Sequence, residues 1–304
     1  MKIPNINFVK FRYIAIAISL IVIITGIVFF VMNKGFDLGI DFKGGIMVQL
    51  KTDESVTTAD LRAALNKNGI TAVIQKYGVP EKHEFLIRTS AQATNNKSIV
   101  QNIEQALSAN LGPDKIMLPF IKTDLVGPTI GDYITRQSIW LILVSLILIM
   151  IYIAFRFEFI FSIAAVIALL HDVLVVLTFL LFTHKEITVS IIAAILTLIG
   201  YSLNDTIVVF DRIREDLKKY KTISYATIIN RSINETLQRT IVTSFTTLFA
   251  VLAIFYFGGP VLHDFAFAIL VGIISGTYSS IFIASPILVE RNLHKAIKKE
   301  KEKA

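Results

Sequence analysis

Long apolar runs recur along this chain, separated by more polar stretches of different lengths. Six of them are long enough to cross a hydrocarbon core about 30 Å thick at a helical rise of about 1.5 Å per residue. The runs cover Tyr13 to Met32, Ser138 to Phe155, Phe159 to Phe182, Ile187 to Phe210, Ile241 to Phe257 and Phe265 to Val289. The pattern predicts a polytopic α-helical membrane protein with six transmembrane helices.

The stretch between the first two runs, residues 33–137, mixes polar and apolar positions as a small soluble domain does. Alternating residues predict strands and helical spacing predicts two helices, with a turn at Gly78, Val79 and Pro80. The predicted strands are 46–51, 72–77, 84–89 and 116–122, and the predicted helices are 57–68 and 97–111. This β-α-β-β-α-β order predicts a ferredoxin-like α+β exterior domain with both helices on one face of the sheet.

These predicted elements divide the chain into four parts. Residues 1–32 form the N-terminus and first transmembrane helix, residues 33–137 the exterior domain, residues 138–290 a five-helix bundle, and residues 291–304 a basic tail. Within the bundle, residues 211–238 are predicted to form a cytoplasmic amphipathic segment. Its first part, DRIREDLKKY from Asp211 to Tyr220, has the pattern of a helix lying along the inner membrane surface or against a partner.

The composition excludes an ordinary soluble enzyme. Of the 304 residues, 54% are hydrophobic and only 17% are charged, against about 25% charged in soluble domains. The chain has no cysteine, which rules out disulfides and cysteine-ligated zinc or iron-sulfur centres. A cleaved signal peptide is the alternative for the first run, but its length and the lack of a small-residue cleavage site favour a retained anchor.

The positive charges predict the orientation of the helices. Lys185 is the only basic residue in a short loop on one side, whereas the loops on the other side and the tail are rich in Lys and Arg. Because basic residues mark the cytoplasmic side, we expect both termini to be cytoplasmic and the large domain to be exterior. The net charge of +7 then indicates contact with anionic lipids through the tail rather than nucleic acid.

Ionisable residues within the predicted helices are the main candidates for function, because charges in a membrane are costly. Asp205 lies in the cytoplasmic half of the fourth run, next to Asn204, and should face the bundle interior. Arg239, at the start of the fifth run, lies at a similar depth, and Thr243 follows it by one turn. A carboxylate near a cation is the usual element of a proton relay. A structural ion pair or a carboxylate reaching toward the interface is the alternative.

His171 and Asp172 form a second polar pair, near the middle of the third run. A catalytic dyad would require a nucleophile such as Ser190, Ser202 or Ser244, but no nucleophile-elbow pattern accompanies these serines. A metal site is less favoured, because no second histidine stands at helical spacing. We therefore predict that the pair supports the relay or holds the bundle together, and we predict no metal.

Two glycine pairs complete the set of candidates. Gly44 and Gly45 follow Asp41 and Lys43 where the chain enters the exterior domain, and they suit either a tight turn or a hinge. Gly272 and Gly276 form a GxxxG pair in the sixth run, which predicts close contact with another helix.

Five stretches of the chain together resemble the bacterial SecF family, of the resistance-nodulation-division superfamily. They are FDLGIDFKGG (Phe36 to Gly45), VGPTIG (Val126 to Gly131), FRFEFIFSIAAVIALLHD (Phe155 to Asp172), GYSLNDTIVVFDRIRE (Gly200 to Glu215) and NETLQRTIVTS (Asn234 to Ser244). The resemblance implies that Asp205 is the proton-relay aspartate, Arg239 its partner and Thr243 the nearby hydroxyl.

The resemblance also implies a function and partners. Proteins of this family use the proton-motive force, together with SecD, to promote late steps of polypeptide export through SecYEG. The implied partners are SecD, the SecYEG translocon, the translocating preprotein and membrane lipids, with YajC as a further candidate. The implied energy source is the proton gradient, with no cofactor and no covalent chemistry, and the implied location is the bacterial inner membrane with a periplasmic domain. The alternatives are a proton-coupled exporter of lipids or small hydrophobic molecules and a purely structural subunit.

Overall fold

A computed structural model describes residues 6–77, 82–89 and 96–292. The elements are, in chain order, α1 (Arg12–Met32), α2 (Ile40–Lys43), β1 (Gly45–Thr52), α3 (Thr58–Lys67), β2 (Ala72–Tyr77), β3 (Glu84–Thr89), α4 (Asn96–Leu111), β4 (Ile116–Val126), α5 (Pro128–Arg156), α6 (Phe159–Phe182), α7 (Val189–Lys219), α8 (Tyr225–Phe257) and α9 (Gly259–Ser279). A π-helical stretch, Ser280–Ala284, follows α9, and α-helix resumes over residues 285–292. The predicted turn at 78–80 and the basic tail beyond residue 292 lie outside the described residues.

Within the described part of the chain, six helices are long and apolar enough to cross a membrane. Each of them corresponds to one of the six predicted runs, although the fourth begins at Val189 rather than Ile187, so the predicted fold class is confirmed. The apolar windows of the α6 and α9 regions are 56% and 61% buried, whereas those of α1, α5 and α8 are each 17% buried. The third and sixth spans therefore form the centre of the bundle, and α1, α5 and α8 present most of their apolar surface outward.

The exterior domain has the predicted ferredoxin-like arrangement. Its four strands form an antiparallel sheet in the order β2-β3-β1-β4. Alternate residues of β1, namely Ile46, Val48 and Leu50, are fully buried and form a core with α3 and α4. Both helices consequently cover one face of the sheet, as the period-two pattern of β1 predicts.

The first turn of α3 is closed by a reciprocal capping box. The Thr57 side chain accepts a hydrogen bond from the Asp60 backbone N–H, and the Asp60 carboxylate accepts from the Thr57 backbone N–H at 2.9 Å and from its hydroxyl at 2.7 Å. These hydrogen bonds lower the pKa of the exposed Asp60 below its ordinary value. The carboxylate therefore stabilises α3 fully above its ordinary pKa, and this contribution is lost as the pH falls below that value and through the lowered pKa of the folded protein.

We expect Thr57→Ala to loosen the start of α3 without changing the membrane bundle. Loss of an N-cap side chain costs about 1 kcal/mol, so amide hydrogens in the first turn of α3 should exchange about fivefold faster. Hydrogen exchange of the full chain measures this directly, with α4 as the internal reference. Unchanged exchange in α3 would show that the capping box contributes no stability.

Residues 211–238 differ from the prediction. Asp211 to Lys219 are the last turns of α7, and residues 225–238 are the first half of α8, so no separate helix lies along a membrane surface. The apolar face of this part of α7 packs inside the molecule, because Ile213 is fully buried in the bundle core. The amphipathic pattern therefore reflects packing of α7 against neighbouring helices. Helix α5 also begins at Pro128, ten residues before the predicted boundary at residue 138.

The exterior domain is tied to the bundle through the loop between α6 and α7. Backbone hydrogen bonds join Gly39 N to Ile187 O at 2.8 Å and Ile187 N to Asp37 O at 2.7 Å. An ion pair of 2.6 Å joins Arg88 of β3 to Glu186. Burial raises the pKa of the Glu186 carboxyl above its ordinary value, against the opposing effect of Arg88. The exterior domain thus contacts the bundle through both backbone and side-chain bonds.

Candidate functional site

Asp205 lies inside the bundle on α7, and only 2% of its surface is exposed. Its Oδ2 accepts a hydrogen bond of 3.4 Å from the Ser244 hydroxyl of α8. Ser244 is in turn 2.7 Å from the Thr277 hydroxyl of α9. The carboxylate is therefore held where α7, α8 and α9 meet, as the sequence predicted for a residue facing the bundle interior.

The other predicted relay residues surround this carboxylate less closely. Arg239 is exposed and forms no ion pair within 4.0 Å of Asp205. The Thr243 hydroxyl donates to the Arg239 and Thr240 carbonyls of its own helix, at 3.1 and 3.0 Å. Asn204 is exposed and faces away from the buried side of α7. The closest partner of Asp205 is thus Ser244 rather than Arg239.

A polar cavity of about 480 Å³ opens between α7 and α8 at the end of the bundle away from the exterior domain. Arg239 and Val208 line its inner end, and Val208 follows Asp205 by three residues on α7. The remaining lining residues are Asp211, Arg212, Glu215, Glu235 and Thr236. Water in this cavity would come within about one helical turn of the Asp205 carboxylate.

Three hydroxyl side chains on one face of α8 connect the cavity to Asp205. Thr236 lines the cavity, Thr240 follows one turn later, and Ser244 donates to Asp205. The Thr240 hydroxyl is 1% exposed and has no hydrogen-bond partner among the described residues. Because a buried hydroxyl without a partner is costly, its position suits a bridging water. The stripe and the cavity together offer a polar route to the carboxylate.

Ion pairs close the outer part of this cavity between α7 and α8. Arg212 of α7 pairs with Glu235 of α8, which also binds Arg231 at 2.7 Å. Arg212 lies 3.5 Å from Asp216, and Asp216 accepts a hydrogen bond of 2.8 Å from Ser232. The sequence prediction missed this cluster. The i, i+4 spacing of Arg212 and Asp216, and of Arg231 and Glu235, is the signal that could have indicated it.

A second buried carboxylate, Asp172 of α6, lies at the centre of a larger polar cluster. It is fully buried and accepts hydrogen bonds from Ser202 at 2.6 Å, Ser275 at 2.7 Å and Ser279 at 2.8 Å. Its neighbour His171 lies 3.0 Å away through Nδ1. The sequence predicted that this pair supports the relay or holds the bundle together, and the structure shows it buried against other helices. The prediction missed the three serine partners, although Ser275 and Ser279 continue the small-residue stripe of α9.

The GxxxG pair of α9 brings this helix against α7. A side chain at Gly272 would lie 2.5 Å from Leu198, and one at Gly276 would lie 2.9 Å from the Ser202 side chain. The predicted close helix contact is therefore confirmed, and it is made within the chain. Because Ser202 also donates to Asp172, the two glycines allow α7 to reach the buried carboxylate.

The glycines at the start of the exterior domain occupy a tight turn. Gly44 ends α2 with φ of +72° and ψ of 152°, a conformation that only glycine adopts readily. At Gly45 a Cβ would lie 2.6 Å from the Thr89 carbonyl oxygen. The tight-turn interpretation explains both residues, and a hinge motion at this position stays a prediction.

The described residues contain no group of three or more His, Cys, Asp or Glu side chains that could hold a metal ion. Of the three serines considered as nucleophiles, Ser202 donates to Asp172 and Ser244 to Asp205. Each of these hydroxyls therefore acts as a hydrogen-bond donor to a buried carboxylate.

Comparison with known proteins connects this arrangement to protein export. Residues 105–294 match the family model described as the C-terminal part of the protein export membrane protein SecD/SecF, and residues 29–56 match the SecD/SecF GG motif. The second match contains Gly44 and Gly45, and the first contains Asp172 and Asp205.

Similar proteins extend over nearly the whole chain. The protein translocase subunit SecF of Thermodesulfovibrio yellowstonii is 45% identical over 97% of this chain and 97% of its own length. The SecF subunit of Rickettsia typhi is 39% identical over 93% of this chain and 91% of its own length.

Two solved structures share the fold. The crystal structure of SecDF from Thermus thermophilus, described as a translocon-associated membrane protein, has a TM-score of 0.83 and 37% identity over 95% of this chain. SecDF in a super-membrane-facing form has a TM-score of 0.72 and 38% identity over 98% of this chain. The chain spans 39% and 40% of these longer solved chains. It belongs to the SecF family of protein translocase subunits, within the broader SecD/SecF family.

Proposed function

We propose that this Sec translocase accessory subunit uses the proton-motive force, through protonation of Asp205, to promote the export of preproteins. The observation that carries the proposal is a buried carboxylate that a polar cavity and a hydroxyl stripe approach from one end of the bundle. One charge moving across about 100 mV gains about 2.3 kcal/mol, enough to shift a conformational equilibrium by a few kcal/mol. The proposed energy source is the proton gradient alone, with no cofactor and no covalent chemistry.

The position of Asp205 suits coupling of protonation to helix movement. Its hydrogen-bond partner Ser244 lies on α8 and contacts Thr277 of α9, while its own helix α7 begins at the loop that holds the exterior domain. The Asp41 carboxylate accepts a hydrogen bond of 2.9 Å from the N-terminal Val189 N–H of α7. A change in charge at Asp205 that moves α7 would therefore act directly on the attachment of the exterior domain. In this proposal the exterior domain pulls on the preprotein as it leaves the SecYEG channel.

We propose that SecD covers the outward face of α7 and α8. Asn204 and Arg239 are exposed on this face, and α8 carries exposed apolar residues beside them. Polar side chains within transmembrane helices normally face other helices or water rather than lipid. The similarity to SecDF chains more than twice as long supports a second half that supplies these contacts. SecYEG, YajC and the preprotein are further proposed partners.

For the membrane orientation, we propose an inner-membrane protein with both termini cytoplasmic and the exterior domain periplasmic. Six spans place both ends of the chain on one side. Arg12 and Glu290, near those two ends, form an ion pair of 2.8 Å, which supports this arrangement. The exporter alternative is not favoured, because the similar proteins are named as translocase subunits.

We expect Ser244→Ala to lower the stimulation of preprotein translocation by a proton gradient by about fivefold, the effect of losing about 1 kcal/mol of hydrogen bonding to the carboxylate. The matched control is Thr246→Ala, because this exposed hydroxyl bonds only to carbonyls of its own helix. Translocation into inverted membrane vesicles containing the SecD partner and SecYEG, with and without the gradient, provides the measurement. Equal stimulation in both variants would show that Ser244 is not part of the proton site. No stimulation of the unmodified protein by the gradient would refute the proposed function.

A further inference from the structure

We propose that His171 and Asp172 form a second proton-binding site, loaded with one proton in this conformation, that works together with Asp205. The inference rests on the proposed function, and it assigns to the pair a proton that the family comparison does not describe. It is carried by the hydrogen bonds that connect α1, α6, α7 and α9 around these two residues.

The Tyr278 hydroxyl of α9 has a single proton to donate in a hydrogen bond. This hydroxyl lies 2.6 Å from the Ala15 carbonyl oxygen of α1, which can only accept, so Tyr278 donates its single proton there. Ser19 lies 3.2 Å from the same tyrosine oxygen. Since the tyrosine proton is already used, Ser19 must donate to Tyr278, and its own single proton is then used as well.

The hydrogen bonds around His171 then determine which of its ring nitrogens carry a proton. Its Nε2 lies 3.0 Å from the Ser19 oxygen, and because Ser19 has no further proton, Nε2 must be the donor. On the other side of the ring, Nδ1 lies 3.0 Å from Asp172 Oδ1. A hydrogen bond at this position requires either a second proton on the ring or a proton on the carboxyl group. In both cases the pair holds one proton more than a neutral histidine and a carboxylate.

The surroundings of Asp172 place this proton on the histidine. Serine hydroxyls donate to both carboxylate oxygens, with Ser275 on Oδ1 and Ser202 and Ser279 on Oδ2. Such a set of donors suits a carboxylate anion, which accepts at every lone pair. The pair is then an imidazolium and a carboxylate with no net charge, which costs less in a membrane interior than a single charge.

Release of the proton has a simple structural consequence. When His171 gives its Nε2 proton to a water molecule that enters the adjacent cavity, the Nε2 lone pair can accept from Ser19, whose hydroxyl must turn away from Tyr278 to donate. This turn breaks the Ser19 bond to Tyr278 and leaves the negative charge of Asp172 uncompensated. A cavity of about 270 Å³, lined by Ser19, His171 and Tyr278 among mostly apolar residues, gives the ring and the hydroxyl room to move.

The pair and Asp205 share two helices. Ser202, which binds Asp172, stands three residues before Asp205 on α7, and Thr277, which binds Ser244, stands between Ser275 and Ser279 on α9. Among the described residues, Tyr278 of α9 stacks on the His171 ring, and Asp205 lies one turn along α7 from Ser202. A change in the charge of one carboxylate would shift the helices that hold the other.

A spectroscopic experiment tests the proton count. The complex with SecD is reconstituted in lipid bilayers with ¹⁵N-labelled histidine, and the His171 signals are assigned by their loss in His171→Gln. We expect both ring nitrogens of His171 to be protonated in the unmodified protein, and one of them to lose its proton in Asp172→Asn. A His171 ring with one protonated nitrogen in the unmodified protein, together with an ionised Asp172 in the infrared spectrum, would overturn the proposal.

A transport experiment tests the role of this proton. Gradient-dependent translocation should fall by roughly tenfold or more in His171→Gln, the loss expected when a proton-carrying group is removed, while the yield of the complex stays unchanged. The matched control is Ser162→Ala, a buried serine of α6 that donates only to Phe159 O of its own helix. If Asp205→Asn loses the stimulation and His171→Gln keeps it, this inference fails and the proposed function stands. If Asp205→Asn also keeps it, the proposed function fails.

Discussion

We expect Gly45→Ala to destabilise the junction between the first transmembrane helix and the exterior domain. The added Cβ would lie 2.6 Å from the Thr89 carbonyl oxygen and 3.0 Å from the Ile40 side chain. Thr89 is paired with Ile46 in the sheet, so the backbone cannot move without breaking the β1–β3 register. Overpacking of this kind costs about 1–3 kcal/mol.

Hydrogen exchange of β1 and β3 and the thermal stability of the complex measure this effect. Gly127→Ala is the matched control, because it adds the same methyl group at the residue that follows β4, where no atom outside the chain neighbours of Gly127 lies within 4 Å of the new Cβ. Equal stability of the two variants would show that the contact at Gly45 is not restrictive. A Gly45→Ala protein that is stable but slow in gradient-driven export would favour the hinge interpretation.

The transmembrane helices could be predicted from the sequence because each one must be long and apolar. The ferredoxin-like domain could be predicted equally well, since period-two and helical patterns alternate clearly between residues 45 and 126. The end of the fourth helix could not be predicted, because a polar, amphipathic segment such as Asp211 to Tyr220 has the same sequence pattern whether it lies on a membrane surface or packs against another helix. Only the burial of Ile213 separates these possibilities.

The candidate site was predicted in part for a similar reason. The cost of a charge in a membrane singled out Asp205, His171 and Asp172 from their positions alone. Their partners are serines and threonines, which occur in many helices for packing, so the sequence could not show that Ser244 is nearer to Asp205 than Arg239 is. The exposed position of Asn204 was missed because adjacent residues point about 100° apart on a helix.

We expect Asp205→Asn to abolish the stimulation of preprotein export by a proton gradient while leaving the complex assembled. Asparagine has nearly the same shape and can still accept a hydrogen bond from Ser244, but it cannot gain or lose a proton. The helices around residue 205 should therefore stay packed, and only the response to the gradient should be lost. The yield of the complex with SecD and its thermal stability are the controls for assembly.

The most direct measurement is completion of preprotein translocation into inverted vesicles that contain SecD and SecYEG, with and without a proton gradient, for the unmodified protein and Asp205→Asn. The proton-relay mechanism predicts that the gradient stimulates the unmodified protein alone, although both complexes assemble equally. Equal stimulation of the two proteins would contradict it, and Asp205 would then serve only to hold the bundle together.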